Sequence, residues 1–279
     1  MNETEYRKIK AVRNSGLGTI IQKSPAHYLH ELRQPEKTTD ATAFGTYLHA
    51  LVLTPEIVEN EYFVLDESLR PFPEKDYLTK ANRQWRRDQI AAATNEGKTL
   101  VGLEDHRRAV ECKNAIRKCA LANEVMNSVG VHERLVQWTD LETGVLCKAR
   151  IDKTRNADRI VDLKSCRDAS KREFMRSVIN YGYHRQAAFY LDGSIAKTFT
   201  FVAVESTAPY GVAVYDLSPE FIEIGRVAYQ SALRQIKICR EKYGSEFDEN
   251  TVWPSYEHYY PISEVLSPPS WAVSHDFGD

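Results

Sequence analysis

Lys148-Ala149-Arg150-Ile151-Asp152 and Ile160-Val161-Asp162-Leu163-Lys164 are two short runs of strand-like alternation, joined through the turn-forming cluster Arg155-Asn156-Ala157-Asp158. Residues two apart on a strand share a face, so Asp162 and Lys164 point one way and Val161 and Leu163 the other. On the first run Lys148, Arg150 and Asp152 share a face, opposite Cys147, Ala149 and Ile151. A short turn makes the runs antiparallel neighbours and lets both aspartates converge. Two carboxylates held close raise each other's pKa, and a divalent cation relieves that repulsion. With a lysine beside them they form the set that a Mg²⁺-dependent phosphodiesterase needs: hard oxygen ligands for the ion, and a cation near the attacking water. An Asp/Glu-x-Lys triplet alone is weak, since Glu111-Cys112-Lys113 is another, in a helical stretch with no strand aspartate upstream. The bland alternative for Asp162 and Lys164 is a surface ion pair, and Asp152 on the adjoining strand argues against it.

Outward from this pair, Leu135-Val136-Gln137-Trp138 reads as a strand, followed by a turn at Leu141-Glu142-Thr143-Gly144, so 145–152 and 159–165 complete a three-strand antiparallel meander. Helices follow at 169–180 and 183–191 around a break at Tyr181-Gly182, then strands at 197–204 and 210–215. Ser218-Pro219 opens a long amphipathic helix that closes at Gly244. Upstream, Ser24-Pro25 starts one helix and 42–53 forms another, stopped by Thr54-Pro55. A proline loop (Pro71, Pro73) and a long helical stretch over 79–126, broken near Gly97 and Gly102, complete the first part. The order predicts an α/β (mixed α+β) fold with one central mixed sheet flanked by helices. We expect a single domain over 1–279: a mainly helical part to 130, a core over 131–245 and an irregular tail over 246–279.

The chain has 279 residues, 42% hydrophobic and 27% charged, as in an ordinary globular protein with a real core. A formal charge of −2 excludes a uniformly basic nucleic-acid coat but not a local basic track. Arg83, Arg86 and Arg87 beside Trp85, and Arg107 with Arg108, are local candidates, though each taken alone is better explained as a solvated helix face. Five cysteines without a C-x-x-C pair argue against disulfides and zinc ribbons and fit a reducing compartment. Cys112 and Cys119, seven apart, are expected as buried thiols on one helical face. No leader and no long apolar run stand out, so a cytoplasmic location without membrane contact is expected.

Two further stretches bear on the aspartates. Gln186 and Tyr190 lie four apart on one helical face, where the bland reading puts Tyr190 in the core and Gln186 at its rim. His49 lies within Gly45-Thr46-Tyr47-Leu48-His49-Ala50, as a satisfied core residue or, if Gly45 and Ala50 let another backbone approach, as a ligand. The set Gly45-Thr46-Tyr47-Leu48-His49, 148–152, Val161-Asp162-Leu163-Lys164 and Gln186-Ala187-Ala188-Phe189-Tyr190 resembles the RecE-type exonucleases, the exodeoxyribonuclease VIII family of the PD-(D/E)xK nuclease superfamily. Ser24-Pro25-Ala26-His27-Tyr28 resembles that family's N-terminal region. The middle acidic position is Asp here rather than Glu.

The resemblance implies a restriction-endonuclease-like core. It also implies that His49, Asp152 and Asp162 bind Mg²⁺ (Mn²⁺ substituting) with a main-chain carbonyl of Leu163, while Lys164 orients or helps deprotonate the water. Gln186 and Tyr190 would support the nucleophile or the scissile phosphate, and Glu133 and Arg150 are weaker candidates. It implies an exonuclease acting on double-stranded DNA ends, 5′ to 3′, as a homo-oligomeric ring (possibly a tetramer) with a single-strand annealing partner in phage-type recombination. Some relatives carry an iron–sulfur cluster; the lone late Cys239 leads us to expect none. The rival readings are a structure-specific or RecB-like endonuclease of the same fold, and an inactive DNA-binding assembly protein.

Overall fold

The computed structural model describes residues 6, 8–35, 39–75, 77–156, 158–258, 263 and 265–268. Helices α1 (Asn14–Gln22), α2 (Pro25–Arg33) and α3 (Asp40–Leu53) come first. Ser24 caps α2, accepting the His27 N–H, with Pro25 at the first helical position. Thr39 and Thr42 cap α3 reciprocally, which starts it two residues earlier than the sequence suggested. Strand β1 (Tyr62–Leu65) pairs in parallel with β2 (Thr99–Gly102), and between them runs α4 (Lys80–Asn95). The region read as helical thus holds a small two-stranded sheet. The stretch over 79–126 is α4, β2, α5 (Leu103–Lys118) and α6 (Ala120–Asn127) rather than one broken helix.

The main sheet has the order β3-β4-β5-β6-β7: β3 (Gly130–Thr139), β4 (Leu146–Arg155), β5 (Arg159–Cys166), β6 (Thr198–Glu205) and β7 (Val212–Asp216). The first three are the expected antiparallel meander, β5 and β6 run parallel, and β7 returns antiparallel. The parallel step needs a crossover, supplied by α7 (Lys171–Asn180) and α8 (Tyr183–Asp192). In the meander's second turn Asn156 takes φ 49, and Ala157 lies outside the described residues. β7 starts later than expected because Tyr210, at φ 60, is still in the connection. Helix α9 (Pro219–Tyr243) is capped by Ser218 and stopped by Gly244 at φ 97, a conformation that glycine adopts without steric cost. Of the tail expected over 246–279, only 246–258, 263 and 265–268 are described. There Trp253 stacks on Tyr28 and its indole donates to the Gly244 carbonyl.

Both faces of the central strands are covered. Phe44, Leu48 and Leu51 of α3, with Cys112 and Ile116 of α5, pack on Val161, Leu163, Val202 and Val204. On the other face Phe174 and Val178 of α7 and Ala187 and Leu191 of α8 cover Ile160, Phe199, Phe201 and Ala203. Helices α1, α2 and α9 join α8 in a third cluster around Val145 and Cys147. Cys112 is buried as expected, but Cys119 closes α5 instead of continuing its face and is only partly buried. Arg83 donates to the carbonyls of Tyr77 and Leu78, and Arg86 lies over the Tyr77 ring, so that basic run serves local structure. Among the described residues, no helix is long and apolar enough to cross a membrane.

The site is positioned by two departures from a regular sheet. β4 and β5 pair at Lys153–Val161, Thr154–Ile160 and Arg155–Arg159, and then separate. At the far end of β4 the N-terminal segment fills the gap: Val12 donates to the Leu146 carbonyl and accepts the Lys148 N–H. Lys148, read as part of a functional polar face, is instead buried and donates to the carbonyls of Tyr6 and Ile9. The second departure is Glu133 at φ 50, in mid-strand. The ladder runs from His132–Lys153 to Arg134–Ile151 and leaves out Glu133 and Asp152. A left-handed non-glycine residue costs on the order of 1 kcal/mol, and such strain gathers at functional sites.

Candidate active site in the wedge between strands

Asp152 sits where β4 leaves β5, and its Oδ2 accepts the Leu163 N–H at 2.9 Å. The side chain thus takes up a backbone donor beyond the last β4–β5 pair. His49, from the third turn of α3, brings Nδ1 to 3.4 Å from the same oxygen. His49 is therefore not a self-satisfied core residue but faces the sheet aspartate. Gly45 is not where a backbone approaches closely, since a Cβ there would meet only Ser165 Oγ at 3.7 Å. Glu133 completes the group: one ligand atom each from His49, Glu133 and Asp152 lie within 4.8 Å of one another. Arg150, two residues before Asp152, ion-pairs with Glu133.

On β5, Asp162 is buried. Lys164 Nζ stands 2.6 Å from its Oδ2, and Gln186 Nε2 donates to its Oδ1 at 2.6 Å. The Lys164 ammonium is thus the partner of Oδ2, which has no other donor among the described residues. Lys164 also lies over the Tyr183 ring, 4.8 Å from its centroid. Tyr190 packs one turn beyond Gln186, between Phe189 and Phe199, where burial pushes its hydroxyl pKa well above the usual 10.

The electrostatics divide the two aspartates. Burial pushes Asp162 up to about 6, and Asp152 adds to this against the opposing Lys164. Burial also opposes ionisation of Asp152, but His49, Lys164 and the Leu163 N–H outweigh it and hold that carboxyl below its ordinary value. Burial opposes charge on His49 and Lys164, yet Asp152 draws the imidazole upward and Asp162 draws the ammonium upward. Burial raises Glu133, and the nearby Asp152 raises it further, against Arg150. Such a spread among touching groups is a property of functional sites.

The geometry brings together every side chain read from the sequence: His49, Asp152, Asp162, Lys164, Gln186 and Tyr190. The compact ligand group, however, is His49, Glu133 and Asp152, with Asp162 beside it and tied to Lys164 and Gln186. Glu133 had only a weak claim in the sequence, because its place opposite Asp152 depends on the β3–β4 register. Tyr183 was missed, although it lies three before Gln186 on the same helix, a spacing that could have flagged it. Two carboxylates and an imidazole, with the Asp162 carboxylate beside them, are a donor set that fits a divalent cation of Mg²⁺ or Mn²⁺ type. His49, Glu133, Asp152 and Lys164 line an open cleft of about 1660 Å³, beyond the roughly 300–1000 Å³ of ordinary small-molecule sites, and Asp162 is buried behind them.

Among solved structures, a candidate exonuclease from Eubacterium rectale is similar over 99% of this chain and 96% of its own, at 15% identity and a TM-score of 0.55. A phage-related exonuclease from Haemophilus somnus matches over 86% and 99%, at 12% identity and a TM-score of 0.37. An alkaline exonuclease from Laribacter hongkongensis matches over 71% and 96%, at 12% identity and 0.29. At this identity the first likeness speaks to the fold alone. No curated protein matches the sequence. With β3–β7, the flanking helices and the Asp152/Asp162-x-Lys164 wedge in place, the fold is that of the PD-(D/E)xK nucleases. The chain belongs to the family described as a PDDEXK-like domain of unknown function (DUF3799), whose model matches residues 15–246.

Proposed function

We propose that this chain is a divalent-metal-dependent deoxyribonuclease that hydrolyses phosphodiester bonds from duplex DNA ends. The observation that carries this reading is the meeting of His49, Glu133 and Asp152 beside the Asp162–Lys164 pair, at an open cleft roomy enough for a nucleic-acid strand. His49, Asp152, Asp162 and the Leu163 carbonyl would hold Mg²⁺, or Mn²⁺, which an imidazole ligand also suits, and Glu133 stands close enough to join them. When bound, such an ion supplies Lewis-acid polarisation of the phosphodiester and a water of lowered pKa.

The protein's own groups do the rest. Lys164 is held protonated by its carboxylate neighbours, so at neutral pH it orients the water and stabilises phosphoryl charge rather than removing a proton. Asp162 is ionised above about pH 6 and is then free to serve as a ligand of the ion. Gln186 fixes the Asp162 carboxylate, and Tyr190 offers a neutral hydroxyl beside it. The resemblance to RecE-type enzymes supports 5′-to-3′ polarity, a ring-shaped homo-oligomer, a single-strand annealing partner and a role in phage-type recombination.

Linear duplexes labelled at the 5′ or the 3′ end, with and without Mg²⁺, test the reading together with a closed circular duplex. Metal-dependent release of 5′ label with the circle intact is expected. Cleavage of the circle would indicate an endonuclease, and no cleavage in Mg²⁺ or Mn²⁺ would sink the enzyme reading.

A further inference from the structure

Most cations of the cleft are already engaged. Arg108 holds Asp105 and the Ser206 carbonyl, Arg150 holds Glu133, Lys164 holds Asp162 and Arg176 holds Glu173. Arg167 differs. It lies one residue beyond β5, lines the same cleft, is exposed, and has no hydrogen bond or ion pair among the described residues. A guanidinium left unpaired beside a phosphodiester site is a ready bidentate partner for a phosphate.

The cleft also holds one large apolar side chain that is exposed, Tyr181, at 68%. Its backbone is fixed while its ring stays largely exposed. The Tyr181 N–H donates to the Ser177 carbonyl. Gly182 then turns the chain at φ 68, where a Cβ would come within 2.8 Å of the Arg185 guanidinium. The Tyr181 ring lies 5.6 Å from Tyr183, whose ring in turn meets Lys164. Tyr181 is therefore the outer member of an aromatic series that leads to the lysine of the site. A base within a duplex already has both faces stacked, whereas an unpaired base gains area on an exposed ring.

We propose that Arg167 and Tyr181 form a nucleotide clamp that receives the strand to be cut as an unpaired single strand. Arg167 binds a phosphate flanking the scissile one, and Tyr181 stacks on the adjoining base. The inference rests on the nuclease reading and deepens it, because it specifies the form in which DNA enters the cleft.

The test is fluorescence anisotropy of the full chain in Ca²⁺, with a short labelled oligothymidylate, the same strand made of abasic residues, and a duplex closed by hairpins at both ends. The wild type is expected to bind the oligothymidylate most tightly. Tyr181→Ala should weaken that binding about tenfold, Tyr181→Trp should preserve it, and the abasic strand should not distinguish wild type from Tyr181→Ala. Arg167→Ala should weaken both single strands and lower the salt slope by about one phosphate contact. Unchanged oligothymidylate binding by Tyr181→Ala, an equal loss on the abasic strand, or tighter binding of the closed duplex would overturn the clamp while leaving the nuclease reading standing. A wild type that binds none of the three, and no open-ended duplex either, would instead remove the nuclease reading on which the clamp rests.

Discussion

Asp152 accepts the Leu163 N–H at 2.9 Å across the wedge where β4 and β5 part. One carboxylate thus serves the backbone and faces His49, so its two roles can be separated by substitution. Asp152→Asn keeps an acceptor for Leu163 but loses the charge, whereas Asp152→Ala loses both. Each should lower cleavage by roughly 10²–10³-fold, as when one preorganised electrostatic group is removed. Only the alanine leaves a buried N–H unpaired, at about 1–3 kcal/mol, so it should unfold at lower urea than the asparagine variant. Equal urea midpoints for the two variants would show that the Leu163 contact carries no structural weight.

Asp162 and His49 make metal uptake pH-dependent in a defined direction. The folded Asp162 holds its proton up to about pH 6, above its unfolded value near 3.9, and His49 is likewise raised above 6.5. A cation must displace those protons, so affinity falls as pH drops through this window and rises to a plateau above it. The slope is at most about tenfold per pH unit for each proton displaced. Calorimetry in buffers of different ionisation enthalpy should register more proton release on Mn²⁺ binding near pH 6, where both groups hold protons, than at higher pH. Affinity independent of pH from 5.5 to 8 would exclude these two groups as ligands.

Gln186 offers a finer test, because it touches Asp162 and not the His49 group. Gln186→Ala leaves Asp162 Oδ1 without its donor and should raise that carboxyl further, moving the acid limb of the cleavage rate to higher pH. Gln186→Glu sets a second carboxylate beside Asp162 and should do more damage, with a loss of about 10²-fold or greater at neutral pH. If the two variants match the wild type in both rate and pH profile, Gln186 is a rim residue of the helix, as the bland reading of its sequence had it.

The sequence allowed the meander, the alternation that puts Asp162 and Lys164 on one face, and the Gln186–Tyr190 helix to be read, because each depends on neighbours within a few residues. Local signals also gave the caps of α2 and α9. What stayed hidden depends on long-range geometry. Glu133 reaches the site through the β3–β4 register and a left-handed backbone that nothing in Val131-His132-Glu133-Arg134 announces. Lys148 shares the face of Asp152 by alternation, yet the strands separate and the N-terminal segment buries it. β1 and β2 are four residues each and pair in parallel across a whole helix, too short and too distant for a pattern to betray them.

Gly225 shows how closely the helices that carry the site are packed. A Cβ at this position of α9 would lie 2.1 Å from the carbonyl oxygen of His184, at the start of α8. Both the acceptor and its neighbours are helix backbone, so no side-chain rotation can relieve the clash, and the helices must move apart. Gly225→Ala should therefore cost about 1–3 kcal/mol or more, even though alanine is the better helix former. Because Gln186 lies two residues beyond His184, the same displacement should pull it from Asp162. The variant should then lose activity under conditions where it is still fully folded. Urea unfolding and cleavage assays on the same preparation decide this: a stability gain, as expected for Gly→Ala on an open helix face, would show that α8 and α9 do not approach as described.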